Sequence, residues 1–544
     1  MSMDRSTRVV RGAVLCLVAY WLLYSLLAAV NVTDAQTYNQ ARLYVIDQGG
    51  LFENHIAHTS TQISFPWTYD AVHWPFVVAG FGHALPSYCC LVGILLITYR
   101  LVCASEGPAC AWVACLGLLA LPALVYQGTS TKNDIPVVFG ALCWFYAMRR
   151  FAKDGRRLDL LASAVAIAFT GGVKSHGLAL VPFMVLTNVW ALRRQRRTLA
   201  RWLGMLMVAG ALLLSVETYV ASRLSLGHWL GVGTSLRNRD GVAGAVANII
   251  RYTLHNLDTG VDALLHRKTT LTVRTEEVCR WVLGELGLAN RGYMTARFDD
   301  SNLDFLKGSH EAQAGYGPFG TLSLLLLPVA LVRRRPGELA WTAAAASVLV
   351  LGTISYTTGH FPYNNRFLLL PFALAAIAST LLSCSWWHRS RAVRVGWLIL
   401  LLFGAIVLPW QSFNRGPRHL WSWVSSRDEM ITREAPSYLP ALTAVRRNLA
   451  ACPSSVWLVT AAPFSWEFLF YDALRDHAVI SRRDQLTSTY LADIRRRYPG
   501  RTIYVLAINQ TLDQELNLTE LEALPQERPA VRLYRLGPDL CRGT

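Results

Sequence analysis

The sequence predicts a polytopic α-helical membrane protein, with about eleven transmembrane helices followed by a small extracytoplasmic α/β domain. Three observations lead there. Of the 544 residues, 53% are hydrophobic and 16% charged, and the apolar residues come in unbroken runs of roughly 16 to 22, each long enough to cross a hydrocarbon core. The formal net charge of +17 sits largely as arginines in the short connectors between those runs. A positive-inside bias places charge there, so it reads as topology and not as a nucleic-acid surface. Beyond about residue 411 the long apolar runs end and short β-prone segments begin.

The first apolar run, from about Val10 to Val30, follows Arg5, Arg8 and Arg11. It is longer than the apolar region of a signal peptide and lacks a small-residue cleavage site, so it is expected to remain as an anchor helix. Further spans are expected near 84–102, 109–127, 135–150, 159–173, 177–192, 202–220, 318–332, 339–357, 367–383 and 395–411. With the N-terminus in the cytoplasm, the inner connectors receive Arg149, Arg150, Lys153, Arg156 and Arg157, then Arg193, Arg194, Arg196, Arg197 and Arg201. Arg333 to Arg335 and then Arg389, Arg391 and Arg394 follow on the same side, while the short outer connectors hold almost none. One span more or fewer would invert this asymmetry. An odd number places the C-terminal segment outside the cell membrane.

The chain is thus expected to divide into a transmembrane module, 1–410, with outer loops at about 31–83 and 222–319, and a soluble domain, 411–544. The first loop carries the aromatic stretch Phe65-Pro66-Trp67-Thr68-Tyr69 and an amphipathic piece from Tyr69 to Phe81, which reads as helix lying in the interface. The soluble domain contains Ser455-Val-Trp-Leu-Val-Thr and Thr502-Ile-Tyr-Val-Leu-Ala, β-prone runs separated by helical pattern. The 11 cysteines show no paired metal spacing, and Cys89, Cys90, Cys115 and Cys143 lie inside apolar runs, where packing is their expected role. Cys452 and Cys541 share the soluble domain, where an oxidising compartment permits pairing without requiring it.

Ionisable residues stand out against this background. Asp34 comes shortly after the first span, at a depth where a carboxylate is expensive and by default functional. Thr129-Ser130-Thr131-Lys132-Asn133-Asp134 forms a polar loop, whose Asp134 either caps the helix beginning at Ile135-Pro136 or faces a site. Lys174, Ser175 and His176 interrupt an apolar run, as a plain connector or as partners for an anionic headgroup. His310-Glu311 lies near the end of the second outer loop, either solvated or a ligand pair. Arg366, in His360-Phe361-Pro362-Tyr363-Asn364-Asn365-Arg366, breaks the positive-inside rule, so a phosphate ligand suits it better than a snorkelling side chain. These residues come from different connectors, yet the topology brings them all to one outer face.

On Asp34 with Tyr38 after the first span, the Ser-Thr-Lys-Asn-Asp134 loop, Gly171-Gly172-Val173-Lys174-Ser175-His176-Gly177 and Asn365-Arg366-Phe-Leu-Leu-Leu-Pro371, residues 10–410 resemble the GT-C superfamily of membrane glycosyltransferases. The resemblance is to the polyprenyl-phosphate-sugar branch that includes protein O-mannosyltransferases and the aminoarabinose transferase of lipid A. That family often carries an acidic pair in its first outer loop, whereas here Asp34 is followed by Ala35. The resemblance implies an enzyme that moves a hexosyl or pentosyl group, with inversion, from a polyprenyl-phosphate donor to a hydroxyl of an acceptor glycan, lipid or protein of the cell envelope. Asp34 would be the general base, and Arg366, Lys174 and His176 would hold the donor phosphate. Asp134, His310 and Glu311 would bind the acceptor or a divalent cation, Mg or Mn. A transporter or flippase is the competing class, and would show repeats and charges near the bilayer midplane. An inert membrane anchor for a polymer-binding outer domain is the third.

Overall fold

The computed structural model of the chain describes residues 5–27, 42–43, 66–79, 82–227, 229, 237–255, 270–294, 300, 315–333, 339–361, 366–387, 390–414, 429, 432, 435–462, 465, 468–474, 477–480, 486–509, 512, 516, 518–523 and 531–538. They fall into two compact units. One comprises Met1–Leu27, Ala79–Ser215 and Gly233–Leu420; the other comprises Ala28–Val78, Val216–Val232 and Trp421–Thr544.

The first unit is a helical bundle, and every apolar run expected to span is helical at least in part. Among the described residues, five helices are long and apolar enough to cross a membrane, or up to seven if each bent pair is one span. Proline accounts for much of the shortfall from the sequence count. Pro122, Pro182 and Pro328 each stand in the first turn of a second helical piece, where a missing N–H and a fixed φ interrupt the ladder of the run. Pro108–Leu119 and Pro122–Gly128 accordingly meet at an 80° bend.

The helix Leu369–Trp387 is the axis of the bundle. Its window is 94% buried, against 28% to 50% for the other long spans. Ala373, Ala375, Ala376 and Ala378 are all at or below 1% exposure, and such small side chains let neighbours approach from every side. Asp134–Asp154 and Arg157–Val173 form a helical hairpin closed by Gly155, whose φ of 65° and N–H to the Phe151 carbonyl terminate the first helix. At the far end of that hairpin Lys174 is extended, and the chain turns through the short helix Ser175–Leu178. A side chain at Gly177 would bring its Cβ to 2.1 Å from the Thr170 carbonyl oxygen. Only glycine lets this turn lie so close to the preceding helix.

The second unit contains a five-stranded sheet of order β2-β1-β3-β5-β4. β1 (Val456–Ala461) pairs in parallel with β2 (Ala478–Ile480) and β3 (Ile503–Ile508). β5 (Val531–Leu536) pairs antiparallel with β3 and with β4 (Thr519–Ala523). β1 and β3 are buried along their whole length, which is why both read as continuous apolar runs and not as alternating ones. Trp457, Val459 and Leu506 face a core that also takes in Leu43 and Val77 from the first outer loop. That loop therefore packs with the C-terminal domain. Cys452 is disulfide-bonded, while Cys541 lies outside the described residues.

An ion pair pins the same loop: Arg42 Nε lies 3.0 Å from Asp70 Oδ2, both side chains nearly enclosed. Burial pushes the Asp70 carboxyl up to about 6 from 3.8, against the pull of Arg42. The folded state thus keeps a proton that the unfolded chain releases, so Asp70 withdraws stability as pH rises from about 4 to about 6. Across that interval the thermal midpoint of Asp70→Asn should gain on wild type in detergent. A constant difference between the two proteins would refute this account.

Candidate active site

The polar loop after Pro122–Gly128 is built by its own hydroxyls. Thr129 Oγ1 donates to the Val125 carbonyl at 3.0 Å, and Ser130 Oγ accepts from the Lys132 N–H at 3.2 Å. Ser87 Oγ holds the Lys132 carbonyl at 3.2 Å, and Asn133 Nδ2 donates to the Val173 carbonyl at 3.2 Å. The last bond ties the loop to the residue before Lys174. This fixes Asp134, the first residue of its helix, opposite the end of the neighbouring helix.

The consequence is a direct ion pair. Lys174 Nζ donates to Asp134 Oδ1 at 2.6 Å, with side-chain exposures of 6% and 0%. Asp134 also sits at a helix N-terminus, where the dipole favours its negative charge. Arg366 and His176 lie within electrostatic range of the same carboxylate. Phe367 is their common plate: its ring centroid is 5.7 Å from Lys174 Nζ, 5.4 Å from Arg366 Cζ and 5.0 Å from the His176 ring. Lys132, only 1% exposed, acts on Lys174 electrostatically as well.

Four of the residues singled out from sequence, Asp134, Lys174, His176 and Arg366, therefore meet in one cluster. Asp34, His310 and Glu311 lie outside the described residues. Where the sequence left Asp134 and Lys174 to different tasks, the structure joins them as a pair. Phe367, Lys132 and the buried Tyr316 escaped notice. Tyr316 stacks on Phe372 with centroids 3.7 Å apart and lies within electrostatic range of Asp134. An aromatic residue in a hydrophobic run sends no distinguishing signal, but Lys132 did: a lysine in an outer connector breaks the same rule as Arg366.

Two properties decide what the cluster can do. Lys174, Arg366 and His176 gather around the Asp134 carboxylate, and a cluster rich in basic side chains suits an anion. Asp134 Oδ2, His176 Nδ1 and Thr131 Oγ1 are buried without a hydrogen-bond partner among those residues. Buried polar atoms are costly unless they meet a partner. Asp134 Oδ1 is committed to Lys174, and among the described residues no group of three or more His, Cys, Asp or Glu side chains gathers.

No known family profile matches the chain. A probable arabinosyltransferase B of Mycobacterium leprae (strain TN) is 25% identical over 210 residues, which is 36% of this chain and only 19% of that relative's length. Among solved structures, ArnT from Cupriavidus metallidurans bound to undecaprenyl phosphate is similar with a TM-score of 0.52 at 13% identity, covering 98% of this chain and 100% of that one. The arabinofuranosyltransferase AftD from Mycobacteria covers 99% of this chain and 42% of that one at 14% identity, with a TM-score of 0.43, too low to carry weight. The chain therefore shares its fold with ArnT.

Two substitutions test the cluster as built. Lys174→Met takes from the buried Asp134 carboxylate its direct partner, which should cost about 3–5 kcal/mol. Lys174→Met combined with Asp134→Asn should recover part of that loss, read as thermal midpoints in detergent; strictly additive losses would contradict the pairing. Gly177→Ala should lower the midpoint and deplete activity, whereas Gly204→Ala, where nothing lies within 4 Å, should be neutral or slightly stabilising.

Proposed function

We propose that this chain is an integral membrane glycosyltransferase that moves a sugar from a polyprenyl-phosphate donor to an acceptor hydroxyl at the outer face of the cell membrane. The observation that carries this reading is the gathering of Lys174, Arg366 and His176 around Asp134, set in a GT-C fold. A sugar on a polyprenyl phosphate holds its anomeric carbon at headgroup depth, where Arg366 and Lys174 would meet the phosphate. Arg366 offers a planar fork and Lys174 a point charge, while Asp134 holds the Lys174 ammonium in place.

Asp34 would take the proton from the acceptor hydroxyl as its oxygen attacks the anomeric carbon from the side opposite the phosphate. The bond to the phosphate oxygen breaks with its electron pair, the configuration inverts, and the leaving group gains a negative charge. Groups arranged beforehand around that charge lower the barrier more than they bind the ground state. His176 and Thr131 would supply further hydrogen bonds to the phosphate or the sugar. A pentose is the first donor sugar to examine, since the relative from Mycobacterium leprae is described as an arabinosyltransferase. The GT-C fold gives the transporter reading no support.

Purified protein incubated with a panel of polyprenyl-phosphate sugars, followed by mass spectrometry, should show consumption of one donor with release of the polyprenyl phosphate. Arg366→Ala should raise the donor KM by about tenfold or more while changing the acceptor KM little. Asp34→Asn should abolish turnover yet still bind the lipid phosphate. Wild-type turnover in Asp34→Asn would remove that residue from the base role.

A further inference from the structure

A second buried cation, away from the Asp134 cluster, has no part in the chemistry proposed above. Arg251, on the helix Gly241–His255, is 0% exposed. Its Nε and Nη2 donate to Asp300 Oδ1 at 3.1 and 2.8 Å, and its Nη1 donates to Asn248 Oδ1 at 3.2 Å and to the Arg291 carbonyl at 2.5 Å. The guanidinium also lies 4.2 Å from the centroid of the Tyr293 ring, whose hydroxyl donates to the same Asp300 oxygen at 2.8 Å. One planar fork thus fixes the backbone at Arg291 and the ring at Tyr293. A lysine cannot reproduce that set of bonds.

What this hub grips next is the connector that ends in Arg366. The His360 N–H donates to the Gly292 carbonyl at 2.6 Å, and the Met294 N–H donates to the His360 carbonyl at 3.1 Å, a parallel bridge between Tyr293 and His360. The His360 ring sits between Tyr252 and Tyr293, at 5.2 and 5.5 Å. Gly359 leaves no slack either, since a Cβ there would lie 2.5 Å from Met294 Cα. Asn248, itself held by Arg251, donates to the Ser355 and Thr358 carbonyls at 3.3 and 3.2 Å. Both edges of the segment that enters the 360–366 connector are therefore tied to Arg251.

We infer that Arg251 is a positioning residue for Arg366: it clamps residues 291–294 against Gly359-His360 and so sets where the chain begins its run to the phosphate cluster. The inference rests on the proposed role of Arg366 as a phosphate ligand. A buried charge network of this cost is retained where geometry must be held within fractions of an ångström. An arginine that served the outer loop alone would have no reason to seize Asn248 and the Tyr293 plate together.

Hydrogen exchange in detergent tests the clamp without any assay of activity. Arg251→Gln should speed exchange at the His360 and Met294 amides by about tenfold or more, leaving strand β3 unchanged as a control for folding. Arg251→Lys should not restore protection, although it keeps the charge. Tyr293→Phe, which deletes only the hydroxyl bond to Asp300, should speed the same amides by about threefold. Binding of undecaprenyl phosphate in nanodiscs then tests the consequence. Arg251→Gln should weaken it by about tenfold, and the double variant with Arg366→Ala should be within about twofold of Arg366→Ala alone. Unchanged exchange in Arg251→Gln, full rescue by lysine, or additive losses in the double variant would each overturn the inference. The Arg366→Ala arm judges the phosphate reading separately: unchanged binding there would defeat that reading whatever the exchange data show.

Discussion

A charge inside a hydrocarbon-lined bundle must be matched, and the structure depends on how the Lys174 charge is matched. Its ammonium meets the Asp134 carboxylate at 2.6 Å, with both side chains closed off from solvent. Neither residue tolerates that burial alone. The pair therefore dictates that the loop before Asp134 and the turn after Val173 stay together, and Asn133 and Gly177 serve that closure. Arg366 and His176 gather around the same carboxylate. The catalytic proposal is a reading of that gathering.

The same economy of buried charge recurs in each unit. Arg251 and Asp300 organise the outer loop before the bundle's last helices, and Arg42 and Asp70 hold the first outer loop within the second unit. In each case an ionic pair between residues far apart in the chain fastens a connector. Such pairs contribute little net stability against an apolar alternative, but they reject other arrangements of the chain.

The fold shared with ArnT supplies the frame in which these connectors act. Leu369–Trp387 runs buried through the middle of the bundle, and Arg366 lies just before it. In the second unit, Leu43 and Val77 contribute to the core beneath β1 and β3. These two residues of the first loop thereby pack with the C-terminal domain.

Composition and charge asymmetry alone determined the membrane class and the places where helices form, because hydrophobic length and the positive-inside bias are local properties of the chain. Arg366 was legible as an arginine in a set of connectors otherwise poor in it, and Lys174 as a charge that interrupts an apolar run. The buried runs of β1 and β3 were equally plain. Tertiary structure alone decided that Lys174 spends itself on Asp134, 40 positions away, that Phe367 is the shared plate, and that Arg251 reaches Asp300. It also decided that the first outer loop belongs with the C-terminal domain. Pairing of this kind depends on which helix ends are brought face to face, and no periodicity within a single segment carries that information.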